Sequence, residues 1–462
     1  MSNHLGEKQL IGYIHQTLTD AEREEIDQHL AECAQCRAHL DDHEYLQRRI
    51  QYELATNLRK ASVSSRKSFA AIAPRLKRGR RLATMQIAVE RLSVAGALAA
   101  IFVLVYGLIA GPLHVDQPPV DVSAPTGAMF RGNPQRTGAY DTKPVPGLGE
   151  PVWEFQAEGS IYTSASATDG MIYIVSLDGH VYGLESQTGQ EKWMVSIGLM
   201  SFSSPTFADG VLYVGISNQL YALDGRTGEQ LWKHDLYWTD SSPAIADGMV
   251  YIGNDTGHFY ALDSRTGQEV WEFETDGKIV SSPAVADGRV YFGSGDGYLY
   301  ALDSRTGQPV WQYGTAGAVD SSPAVAEGTV YFSSYDGYLY ALDSRTGQEK
   351  WKFSIGKDLL VSPAVAEGTV YFDDMQGSFY ALDSRTGQEV WKCKCWTSSP
   401  LAVAGGVVYF TSYDGHLYAV DAKTGQDLWK FKAKGVMEMS SPIVADGMVY
   451  FGSENGTFYA VK

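Results

Sequence analysis

Cysteine is scarce, with four residues in a chain of 462: Cys33, Cys36, Cys393 and Cys395. Four are far too few for a disulfide scaffold of this length. Positive charge is also short, 37 Lys and Arg against 54 Asp and Glu, a formal net charge of −17. Binding a phosphate backbone needs a positive field, so this balance argues against a nucleic-acid binder. No Cys-x-x-Cys-His haem motif is present, which removes one common electron acceptor. Long uncharged apolar runs are missing too, with one exception at residues 92–113, LSVAGALAAIFVLVYGLIAGPL.

A bilayer core of about 30 Å takes roughly 20 apolar residues in helix, so 92–113 reads as one transmembrane helix. As a buried core helix it would need helical neighbours, and no further helical pattern follows it. A cleaved signal peptide would begin within the first few residues. Charge sets the orientation. Arg75, Lys77, Arg78, Arg80, Arg81 and Arg91 precede the span, and no Lys or Arg follows it before Arg131. The positive-inside rule then places the N-terminus in the cytoplasm and the rest outside the cell membrane. Residues 48–91, with twelve bases and two acids, read as a juxtamembrane segment drawn to anionic lipid. Residues 114–127 read as an extracytoplasmic linker.

Residues 1–47 are acidic, ten acids to three bases, and form a separate helical module. Residues 7–17 have the pattern of a short amphipathic helix. Thr19 followed by Glu22 resembles a capping box that opens a second helix to about Ala31. His29 and Cys33 are four apart and share a face of that helix, and Cys36 follows in a Cys-x-x-Cys step. These three can supply tetrahedral ligands to zinc. A segment of this size buries little core unaided, so zinc would be structural. His4, His15, His39 and His43 are the candidates for the fourth ligand.

The stretch LIGYIHQTLTDAEREEIDQHLAECAQCRAHL resembles the zinc-containing anti-sigma domain of bacterial membrane regulators. That resemblance covers about the first 45 residues. It implies ligands His4, His29, Cys33 and Cys36, and helices that clamp a sigma factor. The acidic balance suits such a partner, whose DNA-facing surfaces would be basic.

From about residue 150 the chain repeats itself. Tryptophans recur at Trp153, Trp193, Trp232, Trp271, Trp311, Trp351, Trp391 and Trp429. Each unit reads like SSPAVADGRVYFGSGDGYLYALDSRTGQPVW, with four short strands separated by Asp-Gly, Gly-Asp-Gly and Ser-Arg-Thr-Gly turns. A period near 40 with four strands marks a β-propeller. The last unit stops before its tryptophan strand, whereas PVWEF at 151–155 is a tryptophan strand with no unit before it. Joining the two closes a ring of eight blades and removes the exposed edges. The expected fold is therefore mainly β, an eight-bladed propeller of four-stranded blades. A small all-α zinc-binding domain and one transmembrane helix precede it.

Residues 128–462 resemble the pyrroloquinoline-quinone-like propeller family, and FRGNPQRTG at 130–138 looks like its usual lead-in. The resemblance raises a quinone dehydrogenase, in which adjacent cysteines form a disulfide over the cofactor, calcium binds it and an Asp is the base. Cys393 and Cys395 are not adjacent, and bridging i to i+2 in a strand strains disulfide geometry. The reading is therefore of a non-enzyme without pyrroloquinoline quinone.

In such a ring the loops between blades share one face with the second-to-third turns. Near the start of each blade this face varies, and its candidate binding rim comprises Tyr162, Phe202, Trp238, Asp240, Asp320, Leu360, Asp373, Asp374, Trp396 and Met439. Neutral drift would account for any one of them. As a set, aromatic and acidic loops suit a peptide, protein or cell-wall glycan. The composite reading is a membrane-anchored anti-sigma-type regulator with an external sensor or docking platform. An external scaffold for protein assembly without a sigma factor is the alternative, and a quinone-dependent oxidoreductase is the second.

The chain should carry one structural zinc, and the Cys33→Ser, Cys36→Ser double variant should lose it. Metal analysis of the purified full-length protein checks this, and a zinc-free wild type would refute the site.

Overall fold

A computed structural model describes residues 131–145, 147 and 151–462, apart from 169, 199–201, 217, 357–361, 375, 376, 396, 398, 436, 438 and 439, together with Ile26. The chain divides into two compact units, Met1–Val120 and Asp121–Lys462. Apart from Ile26, the zinc-binding module lies outside the described residues, as does the span at 92–113. Among the described residues no helix is long and apolar enough to cross a membrane.

Within the second unit the described strands form eight sheets. Seven have four strands, and one has a fifth added by Ala139–Tyr140. Blade 4 shows how the repeat produces them. Its strands are Ala284–Ala286, Arg289–Gly293, Tyr298–Asp303 and Pro309–Gly314, paired antiparallel in chain order. The first turn carries Asp287 at φ 50° and Gly288 at φ 70°. Two successive positive φ values are what a two-residue hairpin turn requires. In the Ser-Arg-Thr-Gly turn, Asp303 Oδ1 accepts the Thr306 amide at 2.9 Å and the Thr306 hydroxyl at 2.8 Å. Those bonds hold the Asp303 carboxyl below its usual pKa range, with the Thr306 hydroxyl contributing most.

The core lies between blades rather than within one. Tyr251, Phe259, Ala261 and Trp271 of blade 3 pack against Val285, Val290, Phe292, Tyr300 and Leu302 of blade 4. The middle strands are therefore buried on both faces, and period-2 alternation survives only on the outer strand, where Pro309–Gly314 alternates exposed and half-buried residues.

Each tryptophan joins its blade to the next. Its indole Nε1 donates to a backbone carbonyl at the Ser-Arg-Thr-Gly turn of the following blade: Trp153 to Ser186, Trp193 to Gly225, Trp232 to Ser264, Trp271 to Ser304, Trp311 to Ser344, Trp351 to Ser384 and Trp391 to Ala422, all at 2.9–3.0 Å. The turn glycine supplies the seat for the ring. A Cβ on Gly307 would stand 2.7 Å from the Trp271 indole.

Closure follows the sequence expectation. Pro151–Gln156 pairs antiparallel with Thr457–Val461, with Trp153 opposite Ala460 and Phe155 opposite Phe458. The fourth strand of blade 8 is Pro151–Gln156, which does not follow Thr457–Val461 through a Ser-Arg-Thr-Gly turn, so Trp429 has no such turn as its seat. The segment before the closing strand replaces it. Trp429 Nε1 donates to the Val145 carbonyl at 3.0 Å, and the Val145 amide donates to the Tyr409 hydroxyl at 2.8 Å. Gly147, at φ +69°, takes the place of the turn glycine, with its missing Cβ only 2.3 Å from the Trp429 ring.

Gly147→Ala and Gly288→Ala separate the two costs of an added methyl. Both glycines sit at positive φ, which costs an L-residue roughly 1–2 kcal/mol. Only Gly147 is crowded, since nothing stands within 4 Å of a Cβ on Gly288. Overpacking adds about 1–3 kcal/mol, so Gly147→Ala should melt well below Gly288→Ala. Equal melting temperatures by calorimetry would refute the seat at the seam.

Candidate functional site

The two faces of the ring differ as the repeat implies. On one, the Ser-Arg-Thr-Gly turn bonds back to the first turn of its own blade, as Ser304 N donates to Gly288 O at 3.0 Å and Ser344 N to Gly328 O at 3.0 Å. On the other, the second-to-third turn bonds to the loop that enters the blade. Gly295 N donates to Lys278 O at 2.8 Å, Tyr335 N to Ala318 O at 3.0 Å, and Asp255 N to Trp238 O at 2.8 Å. The inter-blade loops and second-to-third turns therefore share a face, which carries the rim residues.

A belt of serines runs beneath that rim. The amide of the second serine in one blade donates to the hydroxyl of its counterpart in the next: Ser164 to Ser204, Ser204 to Ser242, Ser242 to Ser282, Ser282 to Ser322 and Ser322 to Ser362, at 2.9–3.1 Å.

The axis of the ring is filled by the chain itself. Residues 131–140 run along the innermost strands of blades 4 to 7. The carbonyls of Pro134, Gln135, Thr137 and Gly138 accept the amides of Val285, Val325, Val365 and Val403 at 2.6–2.9 Å. Ala139 and Tyr140 then pair in parallel with Val403 and Ala404. Arg131 and Arg136 fill the interior, 2% and 0% exposed. Arg136 donates from Nε to Pro283 O at 2.9 Å, and from Nη2 to Ser242 O at 2.9 Å and Pro243 O at 2.7 Å. Arg131 donates to Ser322 O at 3.3 Å and also to Pro363 O. Burial pushes both guanidinium pKa values down to about 9, so both remain charged at neutral pH. Backbone dipoles of four blades take the place of counter-anions. Both arginines have positive φ, 62° and 57°. In the sequence this stretch reads only as a lead-in. Two arginines outside every repeat, among Gly, Asn and Pro, were the available signal.

The rim residues are brought together only in part. Tyr162 and Phe202, from successive inter-blade loops, stack at 6.1 Å between centroids with planes 14° apart. Trp238 is half-buried, and its loop carries Asp240. Asp320 is buried at 9% exposure, and its Oδ2 stands 3.7 Å from Lys278 Nζ in the preceding loop. Lys278 was not singled out by the sequence, because a single lysine carries no periodic signal. Asp374 accepts the Ser378 amide at 2.7 Å and the Tyr380 hydroxyl at 3.3 Å, so both its oxygens hold its own turn. Asp296 and Asp336 hold Tyr300 and Tyr340 in the same way. Asp373 ends the second strand of blade 6. Leu360, Trp396 and Met439 lie outside the described residues, as do His4, His29, Cys33 and Cys36.

The model of the family described as outer membrane protein assembly factor BamB matches residues 146–242, 218–358, 296–403 and 376–462. The chain belongs to this family. Residues 7–37 match a putative zinc-finger family of the anti-sigma-factor type, a stretch that includes His29, Cys33 and Cys36 and begins after His4. No curated protein sequence matches the chain. BamB from Moraxella catarrhalis is similar in structure, with TM-score 0.58 and 20% identity over 68% of this chain and 99% of that one. Quinohemoprotein alcohol dehydrogenase from Comamonas testosteroni is similar at TM-score 0.63 and 15% identity, over 73% of this chain and 80% of its own. The computationally designed Ika8 protein is similar at TM-score 0.58 and 19% identity, over 66% and 97%. An assembly factor, an enzyme and a design share the propeller, so these likenesses establish the fold alone.

A quinone does not fit the residues present. Cys393 and Cys395 are free thiols separated by Lys394, and they pack between blades 6 and 7 rather than on the axis. The described stretch of the axis is taken by Arg131, Arg136 and the backbone of 131–140.

Asp320 gives the rim a measurable charge term. Burial pushes its carboxyl pKa up, against the smaller pull of Lys278. A carboxyl raised above its unfolded value, near 3.9, favours the fold most below that pH and becomes a cost as pH rises through the folded value. The stability of Asp320→Asn relative to wild type should therefore increase from pH 4 to pH 7. A gap that stays constant or shrinks in urea titrations at the two pH values would refute this.

Proposed function

We propose that this chain is a membrane-anchored regulator of the anti-sigma type. A cytoplasmic zinc domain binds a sigma factor, and an extracytoplasmic propeller serves as its sensor or docking platform. The observation that carries this reading is the joining, in one chain, of a zinc-finger match at 7–37 to a propeller, with the uncharged 92–113 run between them. The acidic 1–47 segment supports a basic partner. The basic 48–91 segment supports a cytoplasmic N-terminus. His29, Cys33 and Cys36, with a fourth ligand from His4, would hold the zinc. On the other side of the membrane the filled axis directs recognition to the rim. There the stacked Tyr162 and Phe202 and the acids Asp240 and Asp320 suit a peptide, protein or glycan. The propeller acts by binding, without chemistry of its own.

A second reading is favoured by the family match, whose description is that of an assembly factor. The propeller would then dock envelope proteins and the N-terminal module would be an anchor.

Capture of the full-length chain from detergent-solubilised native membranes decides between them, run beside the Cys33→Ser, Cys36→Ser variant. A sigma factor enriched on the zinc-loaded wild type and lost from the variant supports the regulator. Envelope proteins captured equally by both, with no sigma factor, would refute it and leave the scaffold.

A further inference from the structure

Outer strands of successive blades meet through a recurring edge-to-face aromatic pair. Two residues after the tryptophan, an aromatic ring stands against the third-strand tyrosine of the next blade: Phe155 on Tyr182, His234 on Tyr260, Phe273 on Tyr300, Tyr313 on Tyr340, Phe353 on Tyr380 and Phe431 on Tyr459. Centroids are 5.1–5.8 Å apart with interplanar angles of 61–67°. Between blades 6 and 7 the ring is replaced by Cys393, which faces the blade of Tyr418. Two residues on, where other blades place Thr275, Thr315, Ile355 or Ala433, stands Cys395.

The two thiols lie on one side of the strand end and pack on the same apolar wall, with Trp391, Phe379, Phe410 and Val420. Both are free and half-buried. Each thiol acts on the other, holding the Cys395 pKa low and pushing that of Cys393 up. Among the described residues no third His, Cys, Asp or Glu joins them in a ligand group. Two thiols alone cannot satisfy zinc, which takes four ligands. Thiolate sulfur instead selects soft cations, Cu(I) foremost. The apolar wall covers one side of the half-buried pair and leaves the other open to an incoming ion.

We propose that Cys393 and Cys395 form a two-coordinate bis-thiolate site for one soft monovalent cation, Cu(I), at the junction of blades 6 and 7. On binding, both S–H bonds break, both protons leave to solvent, and each sulfur donates a lone pair to the metal. No sulfur changes oxidation state. The resulting site carries one negative charge, beside the exposed Lys392 and Lys394. This site is independent of the regulatory reading given above.

The test uses the full chain bearing Cys33→Ser and Cys36→Ser, so that the other two thiols do not compete, with Ag(I) as the redox-inert probe. Equilibrium competition should give one Ag(I) per chain. Adding either Cys393→Ser or Cys395→Ser should weaken it by about 100-fold or more, because the second thiol acts at high effective concentration. Equal affinity in either variant, or two Ag(I) per chain, would overturn the site in favour of separate thiol adducts. On the native sequence, mass spectrometry after alkylation supplies a check that needs no variant. Stoichiometric Ag(I), added after the zinc site is filled, should protect Cys393 and Cys395 together. Independent protection of one thiol, or a Cys393–Cys395 disulfide in the isolated protein, would also overturn the proposal.

Discussion

The fold depends on one kind of contact, an indole N–H meeting a backbone carbonyl: seven times that of the next blade, and once, at Trp429, that of Val145. A buried hydrogen bond of this kind contributes only about 1 kcal/mol net, but leaving its donor unpaired costs more. Its larger effect is geometric. The ring plane of tryptophan must lie over a glycine that has no Cβ, so each blade fixes the angle of its neighbour. Eight such junctions close the ring, and the core is distributed as eight inter-blade clusters instead of one centre.

Much of this was legible beforehand because the repeat states each constraint many times over. The tryptophan period marks the blades, the Asp-Gly pairs mark the hairpins, and an unpaired PVWEF against a truncated last unit marks the closure. All three are local patterns, or comparisons of copies. The axial segment was hidden because it belongs to no copy. Arg131 and Arg136 become intelligible only when carbonyls from four different blades converge on them, and sequence spacing does not encode that convergence. The same limit applies to the rim. Asp374 reads as an unusual acid in the sequence, yet the fold gives it the same turn-holding work as Asp296 and Asp336.

Filling the axis bears on what the molecule can do. A propeller with an open channel offers a concave pocket on its symmetry axis, where many small ligands bind. Here two buried cations and a stretch of backbone occupy that position, and the serine belt knits the strands around it. Under the proposed function, recognition falls to the loop face, which carries the stacked Tyr162 and Phe202 and the acids Asp240 and Asp320.

The seam has a consequence for how the ring comes into being. Gln156, on the closing strand, bonds to Thr457 across a separation of 301 residues. During N-to-C synthesis that strand emerges well ahead of its partner, Thr457–Val461. Until the final residues arrive, the nascent disc has two open edges able to pair with other chains. Every internal junction can be made as its blade appears, but the last must find an end made long before. Loss of Thr457–Val461 would leave Pro151–Gln156 without its partner, so closure ties the two ends of the propeller to each other.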